Sequence, residues 1–401
     1  MMDDAPTGAL AGLRVIDLSR VLGGPYCTQI LADHGADVIK VEPPAGDETR
    51  DWGPPFHEDD AAYFIGTNRN KRSIGLDLAS AEGRAVLLRM LERADVLMEN
   101  FKPGTLDKWG IGNAALREKF PRLIHCRISG FGADGPHGGH PGYDAIIQAM
   151  TGMMAATGSP QSGPTRIGVA LVDIATGLYA ANGILMALAE RARSGLGQFV
   201  ETTLFETGLA IMHPHTANYF FTGKPPALTG NDHPNISPYA VFRAGDGNIF
   251  IGVGNDGAFR KLCRELGKPE LGSDPRFARN RDRVVNRAAL RVELENLLKD
   301  HASEPLCRRL LAAGLPAGPV QGIDKALASD HVRHRGDIVE QDWYRGVASP
   351  VRFERTKASL RRLPPKFGEH TEAVLGEFGY GADEITGLLA SGAVCGTVRK
   401  H

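Results

Sequence analysis

Between residues 14 and 129, short β-branched runs alternate with segments of helical periodicity, and this pattern limits the fold more than any other feature. Arg14-Val-Ile-Asp17 reads as a strand, Pro25 to Ala32 as a helix, and Asp37-Val-Ile-Lys-Val-Glu42 as a second strand. Ser80 is placed to cap a helix over Ala81–Ala94, where Val86, Leu87, Met90 and Leu91 recur at helical spacing. Val96–Met98 and Ile124–Ile128 are further short apolar runs. Alternation of this kind predicts a parallel sheet with helices on its faces, since each parallel neighbour needs a long crossover. Such sheets collect their loops and ligands at the carboxyl ends of the strands.

Further along, 174–193 reads as a long helix rich in small residues, a sign of close packing. Gln198–Thr203 reads as a strand and 204–218 as a helix carrying His213 and His215 in structural roles. A Gly/Pro/Asn-rich connector over 222–235 marks a boundary. Beyond it, Tyr239–Arg243 and Ile249–Val253 form an expected hairpin turning at Asp246-Gly247. Helices are expected near 256–266, 287–300 and 304–313, with Asn286 and Ser303 as caps. The tail from about 330 reads as a strand pair and two short helices. The resulting division is 1–222, 223–328 and 329–401.

Charge and cysteine content exclude several classes. The 46 Lys+Arg against 47 Asp+Glu leave no basic excess for phosphate neutralisation, so no nucleic-acid partner is expected. Five scattered cysteines without CxxC spacing read as a reducing compartment. The start, Met1-Met2-Asp3-Asp4, shows no apolar leader run, and the expected location is the cytoplasm. Ile174–Ala189, the most membrane-like stretch, is short and broken by Thr176 and Asn182, so a buried core helix is expected and no membrane partner.

Four stretches bear on chemistry. Gly252-Val-Gly-Asn-Asp-Gly257 matches a dinucleotide fingerprint, but a loop stands where the second strand and its acidic residue belong. It reads as a plain strand–turn–helix. Asp173, between an apolar run and the apolar helix, reads either as a helix cap or as a nucleophile or base. Arg69, Lys71 and Arg72 form either a phosphate-binding patch or a solvated basic loop, and Lys102 with Lys108 add a second patch. The two patches are expected to face one polyanionic ligand. The segment 130–142 is rich enough in glycine for a close backbone approach to a ligand. No zinc spacing and no GxSxG elbow are present.

Together these stretches resemble the family III CoA-transferases, a group related to α-methylacyl-CoA racemase. The resemblance is carried by Leu13-Arg-Val-Ile-Asp-Leu-Ser-Arg-Val-Leu-Gly-Gly-Pro25, Gly35-Ala-Asp-Val-Ile-Lys-Val-Glu42, Asn70-Lys-Arg-Ser-Ile74 and Ala94-Asp-Val-Leu-Met-Glu-Asn-Phe101. It continues through Gly130-Phe-Gly132, Gly195-Leu-Gly-Gln198, Gly314-Leu-Pro-Ala-Gly-Pro-Val320 and Leu363-Pro-Pro-Lys-Phe-Gly-Glu-His-Thr371.

The resemblance implies an α/β fold: a Rossmann-like large domain with a parallel sheet, formed by both chain ends, an inserted smaller α+β domain, and an interlocked homodimer. It maps the catalytic nucleophile onto Asp173. CoA contacts carry over to Leu22, Gly23, Pro43, Leu76, Asp77, Leu78, Ala79, Asn100, Phe101, Lys102, Lys108, His140, Pro141, Gly142 and Tyr143. Acceptor contacts are expected from Tyr143, His233 and Asn235. The formyl-CoA branch has Gln at the Leu22 position and Arg at the Pro43 position, which shifts phosphate contact onto Lys102 or Lys108. The racemases have His-Asp where this chain has Tyr143-Asp144. Asn235-Ile-Ser-Pro-Tyr239 is closer to the succinyl-CoA:dicarboxylate branch. The implied reaction moves CoA from an acyl-CoA to a small carboxylic acid. No metal or separate cofactor is expected, because the CoA thioester is itself a substrate. Backbone N–H groups of 130–142 or 230–235 are the expected oxyanion donors. The alternatives are a formyl-CoA:oxalate transferase, a racemase using Asp173 and Asp144, and a non-catalytic CoA-binding protein.

Overall fold

The computed structural model describes residues 8–399, so the acidic start at 1–4 lies outside the described residues. Seven strands form one sheet: β1 (Arg14–Asp17), β2 (Asp37–Glu42), β3 (Lys71–Leu76), β4 (Val96–Glu99), β5 (Ile124–Ser129), β6 (Phe199–Thr203) and β7 (Val394–Cys395). Their order is β6-β5-β4-β1-β2-β3-β7. All pairings are parallel except that of β7, which runs antiparallel to β3. Strand succession reverses between β1 and β4, which makes a topological switch point.

The helices that matter for the site are α1 (Gly23–Asp33), α2 (Ala81–Leu91), α3 (Asp144–Met150), α4 (Leu171–Ser194) and α5 (Leu204–Ala210). Ser80 Oγ caps α2 by accepting from Gly83 N. Val86, Leu87, Met90 and Leu91 of α2 join Ile16, Ile39, Ile74 and Leu97 in one core. Small residues let α4 pack closely on α1. A Cβ added at Gly177 would stand 2.5 Å from the Gly23 carbonyl oxygen. The expectation of a buried core helix over Ile174–Ala189 needs correction. One face buries Val172, Ala175, Ala180 and Ile184, while Leu178, Tyr179, Leu185 and Met186 are exposed.

By its contacts the chain divides into two compact units. The first takes the described residues up to Thr151, Gly168–Thr216 and the described residues from Arg333 onward. The second takes Gly152–Ile167 and Ala217–Val332, so 152–167, kept in the N-terminal part by the sequence reading, belongs with the second unit. That unit holds the antiparallel strands Tyr239–Arg243, Asn248–Gly252 and Ala317–Pro319, with helices Asp256–Glu265, Arg287–Leu298 and Ser303–Ala312. Gly252–Gly257 therefore leaves an antiparallel strand, not the parallel unit a dinucleotide site requires, and Asn255 Oδ1 caps the helix through Ala258 N at 2.9 Å. Asn286 precedes its helix without a side-chain cap bond, and Ser303 begins its helix, with Ala302 at the cap position.

The helix expected over 204–218 is two. α5 stops at Ala210 and a second helix starts at His215, leaving His213 between them. Pro214 explains the break, because it has no N–H to donate and its ring disfavours a helical residue before it.

The basic run was read wrongly in both of its versions. Lys71 and Arg72 belong to β3, and all three cations are buried and paired. Arg69 meets Asp33 at 2.6 Å, Arg72 meets Asp37 at 2.8 Å and Glu377 at 2.6 Å, and Lys71 meets Asp17 at 3.2 Å. The run sits at the amino end of β3, the opposite sheet edge from Lys102 and Lys108, so the two patches do not face one ligand.

Asp17 and Lys71 belong to a larger buried network. Lys71 Nζ also donates to Pro25 O at 2.9 Å and Asn68 Oδ1 at 2.9 Å. Lys40 Nζ donates to Ser19 O and Asp47 Oδ2, both at 2.8 Å. Arg50 forks onto Glu42 at 2.7 and 2.8 Å and reaches Asp60 at 2.7 Å. Burial by itself raises the Asp17 carboxyl, but Lys71, Lys40, Ser19 and Thr28 more than offset it and hold it below the usual carboxylate range. Burial pushes Lys71 down to about 8, against the pull of Asp17. Removing one partner strands the other charge in the core. Lys71→Met is expected to cost about 3–5 kcal/mol in urea denaturation. Arg276→Ala, which breaks an ion pair with Asp274 on an exposed arginine, is expected to leave the midpoint unchanged.

Candidate active site

A cavity of about 250 Å³ opens outside the carboxyl ends of β1, β4 and β5, at the switch point. The turn after β1 contributes Arg20, Val21, Leu22 and Gly23, and the loop after β4 contributes Asn100, Phe101, Lys102 and Pro103. The end of β5 and its loop contribute Ile128, Ser129, Gly130 and His140 to Tyr143. Glu48, Asp173 and Leu204 complete the lining.

The turn after β1 is fixed from three sides. Asn100 clamps Arg20, accepting from its N–H at 2.9 Å and donating to its carbonyl at 2.7 Å. Lys40 holds the Ser19 carbonyl and Lys71 the Pro25 carbonyl. Val21 sits between these anchors at φ 71°, a left-handed conformation that strains a β-branched residue. At Gly23, where α1 begins, an added Cβ would stand 3.2 Å from the Asp173 carbonyl oxygen. Glycine is what allows the first turns of α1 and α4 to press together there.

Asp173 lies in the first turn of α4, which begins at Leu171 with Ala170 at the cap position. The helix-cap reading of Asp173 is thereby corrected, and Asp144 takes the part instead. Asp144 Oδ1 accepts from Val172 N at 2.7 Å and Asp173 N at 3.3 Å, while Oδ2 accepts from Gln148 Nε2 at 2.6 Å. The loose amides at the start of α4 are thus satisfied by a carboxylate from α3. The Asp173 carboxylate is left partly buried on the cavity wall, and among the described residues it accepts no hydrogen bond. Burial, then the Asp144 charge, push it up to about 7. A carboxyl in this state is poorly solvated, and its anion is correspondingly reactive toward an electrophile placed beside it.

The glycine-rich segment closes on itself. A Cβ at Gly130 would stand 2.7 Å from Gly142 N and 2.8 Å from Gly142 Cα. The close approach expected toward a ligand is here an approach of backbone to backbone, and it brings both ends of the loop to the cavity.

Leu22, Gly23, Asn100, Phe101, Lys102, His140, Pro141, Gly142, Tyr143 and Asp173 therefore share one cavity. Pro43, Leu76, Asp77, Leu78, Ala79 and Lys108 do not line it, although they lie at or beyond the carboxyl ends of β2, β3 and β4 on the same sheet edge. His233 and Asn235 lie in the second unit, where Asn235 N donates to His233 Nδ1 at 3.1 Å and Asn280 Nδ2 donates to the Asn235 carbonyl. The sequence reading missed Arg20, Val21, Glu48, Pro103, Ile128, Ser129 and Leu204 as lining residues, whereas Gly130 begins the glycine-rich segment it singled out. It also missed Tyr63, whose phenol is raised by burial and then by Asp173, Asp144 and Asp47. A signal for Arg20 and Val21 lay in their place directly after β1, where a switch-point sheet puts its ligand.

The model of CoA-transferase family III matches residues 10–371. The chain belongs to that family. It is a CoA-transferase by that membership and by its relatives. It is 43% identical over 384 residues to the succinate–glutarate CoA-transferase of Agrobacterium fabrum, covering 92% of this chain and 95% of the relative. It is 40% identical to the acetyl-CoA:oxalate CoA-transferase of Acetobacter aceti, over 93% and 96% of the two chains. A solved CaiB/BaiF family protein from Brucella suis matches with a TM-score of 0.83 and 44% identity, over 93% of this chain and all of that one.

In this CoA-transferase the Asp173 carboxyl is raised on folding, so the unfolded chain ionises it at lower pH than the folded protein does. Its ionisation therefore opposes stability progressively from about pH 4 to about pH 7, and fully above. Asp173→Asn removes that cost. The variant is expected to melt roughly 2–4 °C above the wild type at pH 8, the difference vanishing toward pH 4 in calorimetry at both pH values.

Proposed function

We propose that this CoA-transferase moves CoA from an acyl-CoA to a carboxylic acid with Asp173 as the nucleophile. The observation that carries this reading is the raised Asp173 carboxylate, without a hydrogen bond, on the wall of the switch-point cavity. Asp173 attacks the thioester carbonyl, the C–S bond breaks, and a mixed anhydride forms with release of the CoA thiolate. The thiolate attacks the aspartyl carbonyl, giving a β-aspartyl-CoA thioester and the free donor acid. The acceptor carboxylate then attacks that thioester, and the released thiolate takes the new acyl group and regenerates Asp173. One thioester replaces another, so no external energy source is needed.

CoA extends in this reading from Asp173 along the carboxyl edge of the sheet. Leu22, Gly23, Asn100, Phe101, Lys102 and His140–Tyr143 hold it in the cavity, and Pro43, Leu76–Ala79 and Lys108 hold it beyond. Tyr143, His233 and Asn235 are the proposed acceptor contacts. The names of the relatives, which act on glutarate and oxalate, support a dicarboxylic acid as one partner and succinyl-CoA as donor. The racemase alternative is disfavoured because both Asp144 oxygens are engaged by hydrogen bonds. The exposed apolar stripe of α4 supports a homodimer with interlocked subunits, with the second unit as an insertion in the first. Five buried free thiols fit a cytoplasmic setting.

Incubation with succinyl-CoA followed by borohydride or hydroxylamine is expected to modify Asp173 in the wild type and nothing in Asp173→Asn. Transfer by that variant is expected to fall at least about 10³-fold. Full transfer by a folded Asp173→Asn would refute the reading. In the wild type, kcat/KM should rise with pH through about 7 as Asp173 ionises. Asp144→Asn removes the neighbouring negative charge, so the rising limb should move to lower pH. Light scattering should give twice the mass of one chain.

A further inference from the structure

The cavity is lined by two strong cations that differ in their surroundings. Lys102 stands exposed on the loop after β4. Arg20 is only partly exposed, and its Nε–H is buried with no hydrogen-bond partner. A buried guanidinium N–H without an acceptor is costly, and three more fully buried arginines, Arg50, Arg69 and Arg283, avoid that cost. Arg50 is taken up by Glu42 and Asp60, Arg69 by Asp33, and Arg283 by Asp256 and two backbone carbonyls. Arg20 has no ion pair among the described residues, although Asn100 holds its backbone rigidly. The adjoining residue, Val21, carries the left-handed strain of the turn. Strain of this kind persists where the surroundings impose it, and it clusters at ligand sites.

From this we infer that Arg20 binds the remote carboxylate of a dicarboxylyl group while the other end of that group reacts at Asp173. The inference rests on the transferase reading above. A planar fork matches a carboxylate with two parallel N–H donors, and a weakly hydrated guanidinium suits a partly buried position. The exposed lysine, a strongly hydrated point charge, suits a phosphate nearer solvent. Three residues further along, at Gly23, the same turn abuts the backbone of Asp173, so one rigid segment connects the proposed carboxylate reader to the proposed nucleophile. A monocarboxylic acyl group would leave the Arg20 guanidinium without an anion at the cavity wall, which is the physical basis of discrimination.

The test uses the full-length enzyme with glutarate and valerate, acids of equal carbon count, as acceptors. In Arg20→Gln the ratio of kcat/KM for glutarate to that for valerate should fall about 100-fold, with the loss carried mainly by KM for glutarate. Arg20→Lys should recover only part of it, since an ammonium cannot form the fork. The Kd for free CoA should stay within about twofold of the wild type, and calorimetric binding of glutarate should weaken in parallel with KM. If both acids lose equally, or if CoA affinity falls with the substitution, Arg20 serves the CoA phosphates and the inference is overturned. A wild type with no preference for glutarate over valerate overturns it as well. Failure of Asp173 as nucleophile would appear separately, as unimpaired transfer by Asp173→Asn with the Arg20 ratio still measurable. Should Arg20→Gln not fold, Arg20→Lys carries the same comparison.

Discussion

The buried charges beneath the first three strands support the rest of the site. Asp17, Lys40, Glu42, Asp47, Arg50 and Lys71 are removed from water and answered by one another. Two of them hold the turn after β1 at its ends, Lys40 through Ser19 O and Lys71 through Pro25 O. An apolar core of equal volume would pack without such direction. Ion pairs with defined geometry fix where the turn goes, at the expense of desolvating six charged groups. That turn then contacts both the loop after β4, through Asn100, and the start of α4, through Gly23.

The start of α4 shows how the proposed nucleophile is kept free. A helix N-terminus has amides to satisfy, and an aspartate in its first turn ordinarily helps satisfy them. Asp144 does so from another helix, so among the described residues the Asp173 carboxylate is left without a hydrogen-bond donor. Burial raises the Asp173 carboxyl first and the Asp144 charge adds to it, so the residue that helps position Asp173 also contributes to its titration. The strained Val21, the closed loop between Gly130 and Gly142 and the partly buried Arg20 surround this carboxyl on elements that packing holds in place.

Much of this was legible before any coordinates. β1 and β2 were read to the residue, because Arg14–Asp17 and Asp37–Glu42 are β-branched runs bounded by helical segments. The cap at Ser80, the hairpin after Tyr239 and the plain nature of Gly252–Gly257 followed from local rules. Local rules misled where a long-range partner decided the outcome. Arg69, Lys71 and Arg72 look like a surface patch, since nothing nearby in sequence shows Asp33, Asp17 and Asp37 converging on them. The apolar stretch Ile174–Ala189 suggested a buried core helix, but Leu178, Tyr179, Leu185 and Met186 leave one face open.

The sequence by itself determined the alternation of strands and helices, the sheet edge on which the cavity opens, and the family, because periodicity and motif are local properties of the chain. Only the tertiary structure decided which carboxylate caps α4 and which is left free, since Asp144 and Asp173 meet across 29 residues of chain. It also decided that one cation near the site, Arg20, keeps a buried N–H without an acceptor while the cations of 69–72 are neutralised. Charge, burial and partnership depend on what folds against a residue, and those are properties of the packed molecule alone.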